Sequence, residues 1–325
     1  MAEPPKNPHD AYFRQVLSHS DAAAGELRAV LPEAVSAQID WKYLQLQSCS
    51  FVPAELRSRY TDVLFRTRWA GRDAFVYLLV EHQSKTDRLM AFRMLEYVVA
   101  IWSRYLSENS TARQLPAVIP VVVHADPTGA RWTAPTEVAD LIDVDPGMRA
   151  ALAGYLPRMG FVLDDLATLD VAALCSREPA RVRVMLTMLK TAPGNRHLDR
   201  VLSLLMGDLK ALAAEAGGRT ELIRLMEYIC TVGETGVDDL LPVVDRLGPE
   251  TKEAMVTTAE QLRTEGRAEG RAEGQAEMLL DQLSLKFGPL PEQVVQSVRT
   301  ADPARLRTMS HRVLTATVVD EVLAQ

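Results

Sequence analysis

Two apolar, strand-length runs joined by a short glycine-containing connection constrain the fold of this chain more than any other feature. The runs are Asp62–Trp69 and Asp73–Gln83, and Ala70-Gly71-Arg72 joins them. Such a connection between two apolar runs is typical of a β-hairpin. The first run begins with an acidic residue, and the second ends in Glu81-His82-Gln83. Because the strands of a hairpin are antiparallel, the pattern predicts that Asp62 and Glu81 lie at the same end.

Carboxylates at one end of a hairpin are suited to holding a divalent cation. Mg²⁺ takes oxygen ligands and keeps several waters, so two carboxylates and a phosphate are sufficient. In phosphodiester hydrolysis such a cation neutralises the phosphate, lowers the pKa of the attacking water and stabilises the leaving oxygen. The sequence therefore predicts a magnesium site at Asp62 and Glu81. The alternative is that both are ordinary polar residues at strand ends.

The elements around the hairpin predict an α/β domain with a mixed sheet. Helical spacing of apolar residues predicts a helix over 9–31 and another over 87–107, whereas alternation predicts a strand over 43–50. The continuous apolar run 115–124 predicts a buried strand, and its prolines suggest an edge or bulge near its start. Because a helix precedes this strand, we expect parallel pairing. The predicted domain covers residues 1–130.

The remainder of the chain is predicted to be mostly helical. Leucine, alanine, valine and methionine dominate residues 131–260. A Gly-Arg-Ala-Glu repeat with a period of four fills 261–277, and it is either a helix that promotes self-association or a charged linker. Residues 278–325 predict a small helical module. Four aspartates after the last strand lack the spacing of a calcium loop and are interpreted as solvated: Asp126, Asp140, Asp143 and Asp145.

Composition favours a cytoplasmic protein of two domains. The 325 residues include no apolar run long enough for a transmembrane helix, and the N-terminus lacks the plan of a signal peptide. The three cysteines are widely separated, which fits a reducing compartment. The net charge of −7 belongs mainly to the C-terminal part, so it leaves room for a nucleic-acid-binding groove in the first part.

Four motifs in order resemble the recombination-promoting nuclease family, bacterial proteins also described as transposase-like. The motifs are His9-Asp10-x-x-Phe13, Thr61-Asp62-Val-Leu-Phe, Leu-Leu-Val-Glu81-His82-Gln83-Ser84 and Met90-x-x-Arg93-Met-Leu-x-Tyr97. The resemblance covers residues 7–130 closely, and 278–325 is similar to a helical domain of unknown function that often ends such proteins. It implies a PD-(D/E)XK restriction-endonuclease-like core with the order α-β-β-β-α-β.

The resemblance also implies roles for individual residues. Asp62 matches the first acidic ligand of the superfamily and Glu81 the second, while Gln83 stands where the general pattern has lysine. A lysine would help to activate water and stabilise the phosphate, whereas an amide only forms hydrogen bonds. The resembling family tolerates glutamine here. Lys85 is in strand phase and is a candidate for the missing cation, or else a solvated lysine.

Asp10 is a further auxiliary candidate, and Arg93 is a candidate for binding DNA phosphate. Asp10 either assists the metal and water or is a helix-start carboxylate favoured by the helix dipole. Arg93 is four residues before Tyr97, and thus on the same helix face, where it could bind a DNA phosphate bidentately. Alternatively, this pair marks an ordinary boundary between core and solvent. We interpret His9 as preceding the helix.

These observations predict a magnesium-dependent DNA endonuclease with little sequence specificity, linked to recombination or mobile elements. Its expected partners are DNA and, through the C-terminal helical part, a second copy of the chain. Two alternatives use the same fold: a DNA-binding protein without catalysis, and an oligomeric assembly protein.

Overall fold

Five strands form one mixed sheet in which neighbours along the chain are also neighbours in space. The structure, a computed structural model, describes residues 8–48, 62–81 and 86–323. The strand order is β1-β2-β3-β4-β5. The β1–β2 and β2–β3 pairs are antiparallel, whereas the β3–β4 and β4–β5 pairs are parallel. The strands are β1 (Gln45–Gln47), β2 (Asp62–Trp69), β3 (Arg72–Glu81), β4 (Ala117–His124) and β5 (Val162–Asp165).

The predicted hairpin is confirmed. β2 and β3 pair from Asp62 opposite Leu79 to Trp69 opposite Arg72. Their two-residue turn consists of Ala70 and Gly71, with φ of 48° and 78°. Two consecutive left-handed residues give the turn a twist that matches that of the strands, and this explains the glycine.

The parallel pairing of β4 is also confirmed, and its register explains the proline within the strand. All of β4 pairs with β3, but only Val121–His124 pairs with β5. Pro120 therefore lies where one side of β4 faces no other strand of the described sheet. A proline is tolerated at such an edge because it cannot donate a ladder hydrogen bond.

Helices cover both faces of the sheet and make up most of the remaining chain. The first helices are α1 (Pro8–Leu17), α2 (Ser20–Val30), α3 (Glu33–Ser36), α4 (Met90–Glu108), α5 (Pro146–Ala151), α6 (Val171–Cys175) and α7 (Ala180–Thr191). The later helices are α8 (Leu198–Leu204), α9 (Met206–Ala214), α10 (Gly218–Val232), α11 (Val237–Asp245), α12 (Pro249–Phe287), α13 (Glu292–Arg299), α14 (Pro303–Arg312) and α15 (Val319–Leu323). Within the described ranges, no helix is long and apolar enough to cross a membrane.

The helix predicted over 9–31 is two helices. α1 ends at Leu17 and α2 begins at Ser20. The Ser18 hydroxyl donates a 2.6 Å hydrogen bond to the Arg14 carbonyl, and such side-chain bonds compete with helix propagation. The break lets both helices bury apolar residues in one core.

Each face of the sheet has its own core. On one face, Val63, Phe65, Val76 and Val121 join a large cluster with α1, α2 and α7. On the other face, Leu64, Phe75 and Val122 pack in a smaller cluster with Met90, Met94 and Tyr97 of α4. The alternation of side chains along the strands produces this division.

The sheet extends past the boundary predicted near residue 130. β5 adds a fifth strand, and α7 and α10 both contact α1. The chain divides instead into units Met1–Met255 and Val256–Gln325. Sequence patterns missed β5 because it has only four residues, two of them aspartates.

The second unit has its own apolar cluster. It is formed by the end of α12 and by α13, α14 and α15, with Leu283, Val298 and Val322 fully buried. The Gly-Arg-Ala-Glu repeat lies within α12, so its backbone is helical. The repeat is therefore helical, and self-association through it stays a prediction.

Candidate active site at one edge of the sheet

The start of β2 and the ends of β3, β4 and β5 meet at one edge of the sheet. The Cα partner of Asp62 is Leu79, two residues before Glu81. Glu81 in turn pairs with His124 of β4, and His124 pairs with Asp165 of β5. The positions of Asp62 and Glu81 are those of their backbone atoms. The register thus brings the two predicted metal ligands to neighbouring strand positions.

These four positions share one face of the sheet. A residue and its diagonal neighbour two positions along an antiparallel partner lie on the same face, with Cα atoms about 7–8 Å apart. Asp62 and Glu81 are related in this way. Leu64, two residues after Asp62, and Val122, two before His124, pack in the cluster under α4. The candidate site therefore lies on the α4 face of the sheet.

A buried histidine–aspartate pair forms part of this edge. His124 Nδ1 lies 2.8 Å from Asp165 Oδ1, and the His124 side chain is 1% exposed. In a neutral imidazole, a hydrogen bond to a carboxylate favours the proton on Nδ1, so that Nε2 carries the lone pair. Nε2 is also buried, and it has no hydrogen-bond partner in the described part of the chain.

Backbone groups hold Asp165 in place. Its Oδ2 accepts a 2.9 Å hydrogen bond from the Trp132 N–H, and its Oδ1 accepts one of 3.2 Å from Ala167. The Trp132 indole N–H donates a 2.7 Å hydrogen bond to the Ala134 carbonyl. The Trp132 and His124 rings pack edge-to-face, with their centroids 5.1 Å apart. The imidazole is therefore fixed by a carboxylate on one side and an indole on another.

Neither His124 nor Asp165 was predicted from the sequence as a site residue. The signal in the sequence for His124 was a polar residue at the end of an apolar run, Val121-Val122-Val123-His124. The neighbouring strand β3 likewise ends in a polar residue, Glu81. Asp165 gave no signal because β5 was not predicted. The long connection between β4 and β5 hides their adjacency in the sequence.

Asp10 and its neighbour His9 both lie within α1. Asp10 is buried in the first turn of this helix, and α1 contacts β2, the strand that begins with Asp62. His9 Nδ1 lies 2.8 Å from the Tyr228 hydroxyl of α10, so His9 is part of the helix and contacts another helix. The auxiliary role of Asp10 stays a prediction.

Arg93 forms an ion pair with Asp87, just before α4. Asp87 also accepts a 2.8 Å hydrogen bond from the Leu89 N–H, so it is fixed close to the helix start. Tyr97 is fully buried in the α4 core. A phosphate-binding role for Arg93 stays a prediction, and any phosphate would have to compete with Asp87.

Gln83 and Lys85 lie outside the described residues, and their predicted roles stay predictions. The described side chains do not include those of Asp62 and Glu81. Among the side chains that are described, no group of three acidic, histidine or cysteine residues is arranged to bind a metal ion.

Asp126, interpreted from sequence as solvated, is buried instead. Its Oδ1 accepts hydrogen bonds from the Thr128 N–H at 2.7 Å and from the Thr128 hydroxyl at 2.6 Å. Burial favours a higher pKa for this carboxyl, but the hydrogen bonds outweigh it and hold the pKa below its usual value. Asp126 thus fixes the turn that follows β4.

A second buried charge cluster lies on the opposite face of the sheet. Arg177 lies 3.0 Å from an Asp164 oxygen and 3.7 Å from Glu26 Oε2. Burial, followed by the charge of Asp164, raises the pKa of Glu26 well above its usual value, although Arg177 opposes this shift. Glu26 is therefore favoured in its neutral form, which leaves Arg177 to neutralise Asp164.

The order of elements and the mixed sheet define an α/β protein of the PD-(D/E)XK type, followed by a mostly helical remainder. The sequence profile described as "Putative transposase, YhgA-like" matches residues 7–218. This chain belongs to that family. No solved structure matches it significantly.

Three relatives from Escherichia coli are similar over most of this chain. Recombination-promoting nuclease RpnD of the O157:H7 strain is 27% identical over 79% of this chain and 95% of its own. Recombination-promoting nuclease RpnA of strain K12 is 30% identical over 80% and 84%. Inactive recombination-promoting nuclease-like protein RpnE of K12 is 26% identical over 80% and 83%. The family thus contains relatives named as nucleases and relatives named as inactive.

Proposed function

We propose that this protein is a metal-dependent DNA endonuclease that hydrolyses phosphodiester bonds with little sequence specificity and takes part in recombination. The observation that carries the proposal is the register of β2 and β3, which gives Asp62 and Glu81 diagonal positions on one face of the sheet. Membership of a family with relatives named recombination-promoting nucleases supports it.

The donor set at this edge fits a divalent cation. Asp62 and Glu81 supply carboxylate oxygens, the ligand type that Mg²⁺ prefers. A bound Mg²⁺ would neutralise the phosphate and lower the pKa of a water. Gln83 would orient the water or the phosphate by hydrogen bonding, because an amide cannot take up a proton at neutral pH. Little sequence preference is expected, since phosphate contacts carry no base information.

The proposal is tested by incubating the purified protein with plasmid DNA and Mg²⁺. We expect nicking and linearisation that EDTA stops, and loss of cleavage in Asp62→Asn and in Glu81→Gln. Asp73→Asn is the matched control, since Asp73 lies at the turn end of the same hairpin and pairs with Arg66 at the surface. An Asp62→Asn protein that cleaves as well as the parent would refute the proposal.

The alternative of DNA binding without catalysis has a distinct outcome in the same assay. The name of the RpnE relative motivates it. Retention of DNA without cleavage, at the same affinity in Glu81→Gln, would favour this alternative. Gln83→Lys then asks whether the missing lysine is the cause, because a restored cation would raise cleavage.

Self-association through the repeat within α12 is a separate proposal. Glycines in a helix permit a close approach of a second helix, although each costs up to about 1 kcal/mol in an isolated helix. We expect light scattering to give an oligomeric mass for the full chain and a lower state for a chain that ends at residue 260. An unchanged mass in the shorter chain would exclude the repeat from the interface.

A further inference from the structure

We infer that His124 Nε2 is a third protein ligand of the divalent cation, adding a nitrogen donor to the oxygens of Asp62 and Glu81. The inference rests on the proposed metal-dependent function and assigns a residue to its site. Its starting point is a buried imidazole nitrogen with no hydrogen-bond partner in the part of the chain that the structure describes. Leaving a buried polar atom unpaired costs free energy, so such an atom calls for a partner.

The position of His124 favours the metal as that partner. Glu81 is its Cα partner on the adjacent parallel strand, and adjacent strands are about 4.8 Å apart. Asp62 lies one strand further, diagonal to Glu81 on the same face. An imidazole and two carboxylates therefore come from three consecutive strands at a single edge of the sheet.

The hydrogen bonds around His124 are typical of a preorganised metal ligand. Histidines that bind metals almost always donate the other ring N–H to a carboxylate, a backbone carbonyl or a water, which fixes the tautomer and the ring orientation. Asp165 receives Nδ1–H at 2.8 Å and is itself held by the Trp132 and Ala167 N–H groups. Nε2 is consequently the nitrogen that offers a lone pair.

A nitrogen donor also changes which metal the site prefers. Mg²⁺ favours oxygen ligands, whereas affinity for an imidazole-containing site rises from Mn²⁺ toward later transition metals. We therefore expect the protein to bind Mn²⁺ and Co²⁺ more tightly than Mg²⁺. In the His124→Gln protein this preference should decrease, since the two remaining ligands, Asp62 and Glu81, provide oxygens.

The test is pulsed electron paramagnetic resonance of Mn²⁺ bound to the full-length protein. Directly bound imidazole gives a ¹⁴N modulation of the electron spin echo, and we expect it in the parent protein. Replacing histidine with ¹⁵N-histidine during expression should change the modulation without any mutation. This arm remains informative even if a His124 variant fails to fold.

Variants assign the nitrogen to one histidine. We expect His124→Gln to lose the modulation while it still binds Mn²⁺, and the exposed His197→Gln control to keep it. Asp165→Asn should retain the ligand but bind Mn²⁺ about 10–100-fold more weakly, the usual effect of removing an orienting partner. Asp62→Asn should weaken Mn²⁺ binding as well, because the carboxylate belongs to the same site.

The outcomes separate this inference from the proposed function. Mn²⁺ that binds to the parent protein and depends on Asp62, but shows no ¹⁴N modulation, would overturn the role of His124 and leave the carboxylate metal site intact. A modulation that persists in His124→Gln would also overturn it. Absence of Mn²⁺ binding to the parent protein would overturn both.

Discussion

The two faces of the sheet hold buried charge in different ways, and consecutive residues of β5 show the contrast. Asp164 faces Arg177 and Glu26 in the large core, where Arg177 neutralises Asp164 and burial favours the neutral form of Glu26. Asp165 faces the α4 side, where it fixes an imidazole that keeps one nitrogen unused. The first cluster is an ion pair with a neutral neighbour inside the core, whereas the second is proposed to bind a metal ion.

The largest effect that tests this contrast is expected for Arg177→Met. Removing the cation leaves Asp164 charged and buried, and breaking a buried ion pair from one side costs about 3–5 kcal/mol. Urea denaturation would measure the loss. Arg224→Met is the control, since the exposed Arg224–Glu227 pair contributes about 0.5 kcal/mol or less. Similar losses in the two variants would contradict a structural role for the cluster of Asp164, Glu26 and Arg177.

A smaller, pH-dependent effect is expected for Glu26→Gln. The folded-state pKa of Glu26 lies above its ordinary value of 4.5, so the folded protein binds more protons than the unfolded chain in the interval between the two values. The Glu26 contribution to stability therefore declines as the pH rises through that interval.

Glutamine does not titrate, so the variant should lack this decline. The difference in unfolding free energy between Glu26→Gln and the parent protein should shift in favour of the variant from about pH 5 to about pH 8. Urea denaturation at several pH values would measure it. A constant difference across the range would indicate that Glu26 titrates normally.

On the other face, His124→Gln should cost only about 1 kcal/mol of stability, the net value of one hydrogen bond. Asp165 keeps its bonds from Trp132 and Ala167, so no carboxylate is left without partners. Thermal unfolding of the metal-free protein would measure the change. A loss as large as that of Arg177→Met would make this pair a structural cluster as well.

The smallest effect is expected away from both clusters, at the hairpin turn. Ala70 has a left-handed backbone with φ of 48°, which asparagine adopts more readily than alanine. Asn-Gly is also the favoured pair for this turn, so Ala70→Asn should add about 0.5 kcal/mol. Urea denaturation would show this gain. A loss of stability would indicate a different turn conformation.

Patterns among residues that are close in sequence were sufficient to predict some strands. Alternation and a Gly-containing turn predicted the hairpin, and a continuous apolar run predicted β4. The register then agrees with the predicted meeting of Asp62 and Glu81 at one end, whereas their roles stay predictions.

The missed features depend on contacts between distant segments. β5 is too short and too polar to show a strand pattern, so neither Asp165 nor its bond to His124 could be predicted. Glu26 looks like a solvated helix residue until Arg177 and Asp164 are placed beside it. Burial of charge is decided by tertiary packing, which one segment of sequence does not specify.

The hairpin register also has a consequence for the order of folding. Asp62 and Glu81 belong to one hairpin with a two-residue turn, and hairpins form in about 1–10 μs. His124 and Asp165 come from strands joined by a long connection, whose closure is entropically more costly. We expect the carboxylates to assemble early and the imidazole to join them late. A nascent chain that has just formed its hairpin would thus contain Asp62 and Glu81 in place before His124 joins the site.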